Sequence, residues 1–501
     1  MVGDKSRGNS IVRNQQLNAI GDGQTCKELL VQLDRRGVPY VSWKDNHELD
    51  EALCSGGELD LFVPIHYRAL FVLSCRELNW IRVENPVARY PDVEHWYCAS
   101  PEHGVFHVHV YYRVVTGESW LKEYLLPLDD FLVTNRVRSP EHDIWILSKE
   151  AQAKLFAIRH LLKGGSIVSR MLYRRSLATF EAEWQEVRPE APGLVRVLEL
   201  PVGPETAARM AGLSGDRLKL PKFLEAVRFR YSIFPFLRFA PWTLTPRRLA
   251  SFTVRALNRL VLKQRKLAID GGIVIAVCGT DGAGKTTTLD AAVSFYSEFL
   301  TVRRVHLGRP QGPILERMRR VLRTLQAKKS SKGAHATREL SDVRPETSSV
   351  SALAAVSVAM LRLRASHRAR RLANRGIIVF SDRWPSMTPG KVDGPRLSPT
   401  TQNGRLYSLC QRIEQWAYGH MARADVCFWF EVPLATAIQR NEARDKGEKE
   451  TAQEIQMRYQ ASIGVRPIAD EVITFRNEDA FELTRARFLK SVWGVIASRS
   501  G

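Results

Sequence analysis

The chain has no apolar run long enough to cross a bilayer, which needs about 20 apolar residues. Its longest apolar-biased stretch, Val350–Leu361, is too short and too rich in Ser and Ala. Met1–Gln16 has no apolar core, so no secretory signal is expected there. Cysteine is sparse, seven in 501 residues, with no Cys-x-x-Cys pair and no metal-ligand spacing. Cys278 and Cys427 sit inside apolar runs, which points to reduced, buried thiols in a cytosolic protein. There is no zinc-finger spacing, RNA-recognition motif or heptad zipper, so specific nucleic-acid binding is not expected. No internal repeat is present. Acidic side chains are outnumbered, 53 against 74 Lys and Arg, for a net charge of +21. That excess suits polyanionic substrates, phosphate sites or an anionic membrane surface.

What is present is an ordinary globular composition, 44% hydrophobic and 25% charged. A chain of 501 residues is expected to divide into two or three domains. Residues 1–23 are polar and expected to be flexible. Residues 24–165 alternate short apolar runs with Gly and Pro breaks, and Val38–Trp43, Glu58–Val63 and Val105–Val110 read as strands. Ile144–Leu162 reads as a helix, with Ile144, Leu147, Ala151, Leu155, Ile158 and Leu162 at helical spacing. Residues 166–270 read as a helical connector rich in Arg and Trp. Its last part, Arg247–Lys266, predicts a basic amphipathic helix in which Leu249, Phe252, Val254, Leu257, Leu260 and Val261 alternate with Arg and Lys. Such a helix either packs on a neighbouring domain or lies on an anionic membrane.

Residues 271–501 read as α/β. Ile273–Cys278 is a continuous apolar run, as buried parallel strands are. Val302–Leu307, Ile377–Ser381, Val426–Val432 and Glu471–Phe475 read as further strands with helical patterns between them, which gives βαβ units and a parallel sheet. Between the second and third strands lie a basic insertion, Arg317–Arg344, and a long helix, Val350–Ala373. The fold class expected is α/β: a C-terminal parallel sheet with flanking helices, an N-terminal α+β domain and a helical connector.

Three features of residues 271–501 carry chemistry. Gly279-Thr280-Asp281-Gly282-Ala283-Gly284-Lys285-Thr286 satisfies G-x-x-x-x-G-K-[ST], between an apolar strand and a helix-compatible stretch, Thr287–Leu300. The glycines let the backbone curl so that successive N–H groups point at phosphate oxygens. The helix N-terminus, with Thr287 beside the loop, adds its positive end. Lys285 is expected to reach the β- and γ-phosphates of ATP, and the Thr286 hydroxyl to ligate Mg2+. The second feature is the strand Gly376–Ser381 ending in Asp382-Arg383-Trp384. Ligands bind at the carboxyl ends of parallel strands, so Asp382 is placed to hold Mg2+ or its water, and Arg383 to pair with an acceptor phosphate. The third is the charged segment Arg440–Lys449, where basic residues either close over the phosphates or form a solvated helix end.

Together these features resemble the thymidylate kinase family of P-loop nucleoside monophosphate kinases, over about Gly272–Ser498. The resemblance implies that Asp281 contacts the acceptor sugar and that Arg383 approaches the acceptor phosphate. It makes Arg440 and Arg444 candidates for a lid that closes on ATP, and it implies a homodimer. The family's thymine-contacting run is missing after Trp384. Asp393-Gly394-Pro395 instead looks like the divergent thymidylate-kinase-like proteins associated with bacterial surface polysaccharide synthesis.

Gly56-Gly57-Glu58-Leu59-Asp60-Leu61-Phe62-Val63 resembles the G-S-D-x-D strand of nucleotidyltransferase-fold proteins, a likeness that covers about Val38–Gly165. Carboxylates two residues apart point to one face of a strand, so Glu58 and Asp60 are candidate metal ligands. A later strand is expected to bring a third carboxylate. The best candidate, Phe106–Val110, carries His107 and His109 and no acid. These read as satisfied polar strand residues rather than as a zinc site, and a binding or inactive version of that fold is expected ahead of an active one.

The expected function is ATP- and Mg2+-dependent phosphoryl transfer to a nucleoside monophosphate or a related sugar-containing acceptor, in the cytoplasm. The alternative is a nucleotide-dependent regulatory or assembly protein at the inner membrane surface, in polysaccharide synthesis, with little kinase activity.

Overall fold

The computed structural model describes residues 26–54, 56–188, 200–203, 211–213, 217–280, 282–308, 349–398, 404–442 and 451–499. The basic insertion Arg317–Arg344, residues 1–23, and the candidate site residues Asp281 and Arg444 lie outside the described residues. The chain divides into two compact units, Met1–Ile269 with Ile496–Gly501, and Asp270–Val495. The architecture is α/β, with a mixed sheet in the first unit and a parallel one in the second.

The first unit contains β1 (Val41–Ser42), β2 (Glu58–Phe62), β3 (Ile81–Glu84), β4 (Val93–Ser100) and β5 (Gly104–Tyr111). A small ribbon of β6 (Val115–Thr116) and β7 (Tyr124–Leu125) follows, then β8 (Arg136–Arg138), β9 (Trp145–Leu147) and β10 (Leu267–Ala268). The main sheet runs β10-β3-β4-β5-β2-β1-β9-β8. The period-2 alternation of strands sorts its side chains onto two faces. Leu59, Leu61, Val108, Val110 and Trp96 pack in one core with Leu29, Leu33 and Phe71 of the helices Cys26–Arg35 and Arg68–Glu77. Phe62, Tyr111 and Trp43 join the other core, with Leu155, Ile158 and Leu162 of the helix Lys149–Gly164. Glu58 and Asp60 share the parity of Phe62, and His107 and His109 that of Tyr111, so all four belong to this second face.

Two expectations change here. The helix expected over Ile144–Leu162 begins only at Lys149, because Trp145–Leu147 is spent as β9, paired to β1 and β8. The Ser148 side chain accepts from the Ala151 N–H and marks the true start. The basic amphipathic element is the helix Pro241–Leu257 followed by a single π turn, Asn258–Leu262, and it ends at Lys263 in a left-handed conformation rather than running to Lys266. Trp242, Leu249, Phe252, Leu260 and Val261 on it are exposed.

The second unit holds β11 (Val274–Gly279), β12 (Val302–His306), β13 (Ile378–Asp382), β14 (Ala424–Glu431) and β15 (Ala469–Arg476). They form one sheet in the order β12-β13-β11-β14-β15, and each neighbouring pair is parallel. Val274 to Val277 on the central strand are fully buried, as expected of a parallel sheet covered on both faces. The helices Lys285–Ser297 and Phe481–Arg499 pack together, with Tyr296 Oη donating to Leu489 O at 2.7 Å. The helices Ser349–Ala373 and Arg405–Gly419 meet through Ala352, Ala355, Tyr407 and Cys410. Among the described residues no helix is long and apolar enough to cross a membrane.

Candidate functional site

In the second unit the segment Gly279–Thr286 joins the carboxyl end of the central strand β11 to the helix Lys285–Ser297. Gly279, Gly282 and Gly284 all have positive φ. At Gly279 the chain passes so close to β14 that a Cβ would sit 2.1 Å from Phe430 O, and at Gly284 one would sit 2.5 Å from Asn477 Nδ2. Asn477 in turn donates to Ala283 O at 2.8 Å and accepts from Thr484 Oγ1 at 3.0 Å, which pins the loop from the side of β15. The buried Lys285 donates its ammonium to the loop carbonyls of Gly279 and Thr280. Thr280 is itself buried, and among the described residues its Oγ1 has no hydrogen-bond partner. Thr286 and Thr287 are exposed at the first turn of the helix. Arg440, in the last turn of the helix Leu434–Glu442, brings its Nη1 to 4.0 Å from where a Gly284 Cβ would be.

Asp382 ends β13, in register with Val277 of β11 and His306 of β12. Its Oδ2 lies 3.6 Å from His306 Nδ1 and 3.7 Å from Arg304 Nη2. The His306 contact, then the charges of Arg304 and Arg383, hold this carboxyl below its usual range despite partial burial. Asp382 is therefore a carboxylate at neutral pH, at the same carboxyl edge of the sheet as the glycine-rich loop. Arg383 takes a left-handed φ of 67° and places Nη1 3.6 Å from Asp393 Oδ2. The other Asp393 oxygen accepts from Arg362 Nη2 at 2.6 Å. Arg362 is buried, and it also donates to Tyr418 Oη at 2.7 Å and to Leu307 O at 3.1 Å. The Asp393-Gly394 turn is thus clamped, with Tyr418 Oη donating to Gly394 O at 2.9 Å. Among the described residues Arg304, His306, Leu307, Gly308 and Arg362 line a cavity of about 580 Å³ beside Asp382. Its walls carry more basic than acidic groups, which suits an anionic ligand. Sequence patterns single out Lys285, Asp382 and Arg383. They pass over His306, although the alternation in Val302–His306 already puts Arg304 and His306 on one face.

The first unit holds a separate polar cluster. Parallel pairing sets Glu58 opposite His107 and Asp60 opposite His109, and the antiparallel partner β4 adds His95 opposite His109. His109 Nδ1 is 3.0 Å from both Glu58 Oε1 and Asp60 Oδ1. His107 Nδ1 is 3.4 Å from Glu58 Oε2, and its Nε2 is 2.9 Å from His95 Nδ1. Lys44 Nζ closes on Asp60 Oδ1 at 2.7 Å, and Lys122 Nζ donates to Tyr111 Oη at 2.6 Å. Burial disfavours charge on His95, His107 and Lys122 and pushes all three down. Burial also opposes ionisation of Asp60, but Lys44 and His109 outweigh it and hold the carboxyl below its usual range. β5 therefore supplies an imidazole at the position expected to carry a third acid. His107 is a satisfied strand residue, with one ring nitrogen on Glu58 and the other on His95, whereas among the described residues His109 Nε2 is buried with no hydrogen-bond partner. Sequence patterns also pass over His95, although its alternation with Tyr97 on β4 already puts the two on one face.

No family model matches the chain, and no curated protein matches it. A solved structure described as the crystal structure of APE1195 is similar over 46% of this chain and 98% of its own, at 20% identity and a TM-score of 0.21. That likeness is too slight to bear on fold or function.

Proposed function

We propose that the Asp270–Val495 unit uses ATP and Mg2+ to transfer a phosphoryl group to a nucleoside monophosphate or a related sugar-containing acceptor. The observation that carries this reading is a glycine loop, closed by Lys285, at the carboxyl end of the central strand of an all-parallel sheet, with the carboxylate Asp382 at the same edge. The cradle at Gly279 and Gly284, where a Cβ would collide, and the Thr280 hydroxyl, unpartnered among the described residues, fit a phosphate chain lying against the backbone.

Mg2+·ATP supplies the transferable group and neutralises its charge when bound. In this reading Lys285 exchanges its own loop carbonyls for the β- and γ-phosphate oxygens. Thr286 and Asp382 hold the cation. Arg440, already beside Gly284, adds positive charge where it develops on the phosphoryl oxygens. Arg383 and the Arg304–His306 wall face the acceptor's anionic end. Catalysis here rests on position and charge, so no strong base is required.

The test is phosphoryl transfer from labelled ATP by the purified protein to dTMP, the other nucleoside monophosphates and a cell extract. Transfer is expected to fall at least about 100-fold in Lys285→Ala, as loss of a transition-state charge contact does. If ATP binds and no acceptor is labelled, the kinase reading fails.

One observation favours a second reading, a nucleotide-dependent regulatory protein on an anionic membrane. Trp242 is 80% exposed and Phe252 67% exposed on a helix that also carries Arg247, Arg248 and Arg255. Basic, apolar helices of this kind lie in the headgroup layer. Flotation with phosphatidylglycerol vesicles that is unchanged by Phe252→Glu would remove it.

A further inference from the structure

The cluster on β2, β4 and β5 belongs to the first unit and is independent of the kinase reading. We infer that Glu58, Asp60 and His109 bind a borderline-soft divalent cation of the Zn2+ class in preference to Mg2+. The strand register fixes the donor set, with Asp60 directly beside His109 and Glu58 one pair along. Two donors on a tetrahedral zinc, each at about 2.1 Å, lie roughly 3.4 Å apart. The His109 Nδ1 distances of 3.0 Å to each carboxylate are close to that edge, so a cation enters with shifts of a few tenths of an ångström.

A further observation points to a missing positive partner. Asp60 is only 5% exposed, and Lys44 Nζ already lies 2.7 Å from its Oδ1. Lys44 balances one of the two carboxylates, and among the described residues no lysine or arginine lies within ion-pair distance of Glu58. A divalent cation balances the second. Glu58 is half exposed, which leaves a path in from solvent. Behind the donors, His107 holds the second Glu58 oxygen and His95 holds His107, the kind of outer support that orients metal ligands.

The imidazole decides the class of ion. Mg2+ demands octahedral oxygen donors and keeps its waters, whereas neutral imidazole suits zinc and its neighbours. A third carboxylate in place of His109 would make an oxygen-only site.

The test is a titration of chelator-stripped full-length protein with Zn2+, and with Co2+ as a spectroscopic substitute, in millimolar Mg2+. A stoichiometric ion and visible cobalt bands are expected, both retained in Lys285→Ala. His109→Ala should weaken Zn2+ by at least about 100-fold and abolish the bands, and His95→Ala should weaken it by roughly 10–100-fold, as supporting partners do. His109→Asp covers the case in which the alanine variant does not fold: it should remove the preference for Zn2+ over Mg2+. Zn2+ affinity unchanged in the His109 variants, displacement of Zn2+ by millimolar Mg2+, or no stoichiometric uptake would each overturn the inference.

Discussion

A methyl group at residue 279 would meet Phe430 O at 2.1 Å, and the backbone there has a φ of 129°. Neither conflict can be relieved by a side-chain rotation, because the obstacle is the backbone of β14. Gly279→Ala is therefore expected to lower stability by about 1–3 kcal/mol, the usual range for backbone strain. It should also lose ATP affinity in equilibrium binding, while the secondary structure seen by circular dichroism is kept. An alanine variant that binds ATP as the parent does would show that the close approach is unrelated to nucleotide binding. Gly279, Gly284 and Lys285 were legible because the motif fixes their spacing along one segment. Arg362 and Tyr418 were not. They meet Asp393 only because the helices carrying them pack side by side, and no local pattern marks a buried arginine as a clamp.

Elements were legible where one period dominated. The apolar runs of β11, β13 and β14 are buried on both faces and read directly as strands. The sequence pattern starts the helix Lys149–Gly164 too early because Ile144 and Leu147 fit its 3.6 period while belonging to the segment that forms β9. What the sequence does not display at all is how this helix is tied to its neighbours. His160 Nδ1 accepts from Tyr173 Oη at 2.5 Å, and Nε2 donates to Lys219 O at 3.0 Å. Burial pushes His160 down to about 4 from its ordinary 6.5. The unfolded chain thus takes up a proton near pH 6.5 that the folded unit refuses until about pH 4. The stability from this group is complete above pH 6.5 and is lost progressively as the pH falls toward 4, for a total of about 3 kcal/mol. Urea unfolding followed by tryptophan fluorescence should show that loss between pH 7 and pH 4.5. His160→Gln should flatten the slope even if it lowers the plateau. An unchanged slope would place the protonation elsewhere.

For the whole molecule, a net charge of +21 complicates any claim about ATP, since a polyanion is drawn to such a surface without a site. Two features separate a built site from that attraction. Screening weakens exposed charges beyond about 8 Å at physiological salt, and a buried cradle much less. Ligand linkage also acts only on the fold that binds, raising its stability by about 2.7 kcal/mol at a hundredfold excess over the dissociation constant. For a unit of this size that corresponds to roughly 5–10 °C. Each unit has its own sheet, so the two proposed sites should report separately. In 0.3 M salt, Mg2+·ATP should still raise the melting temperature of the parent protein and of His109→Ala, but not of Lys285→Ala. Zn2+ should stabilise the parent and Lys285→Ala, but not His109→Ala. A rise with Mg2+·ATP that survives Lys285→Ala and disappears with added salt would assign the effect to surface charge, and the glycine loop would lose its claim to be a nucleotide site.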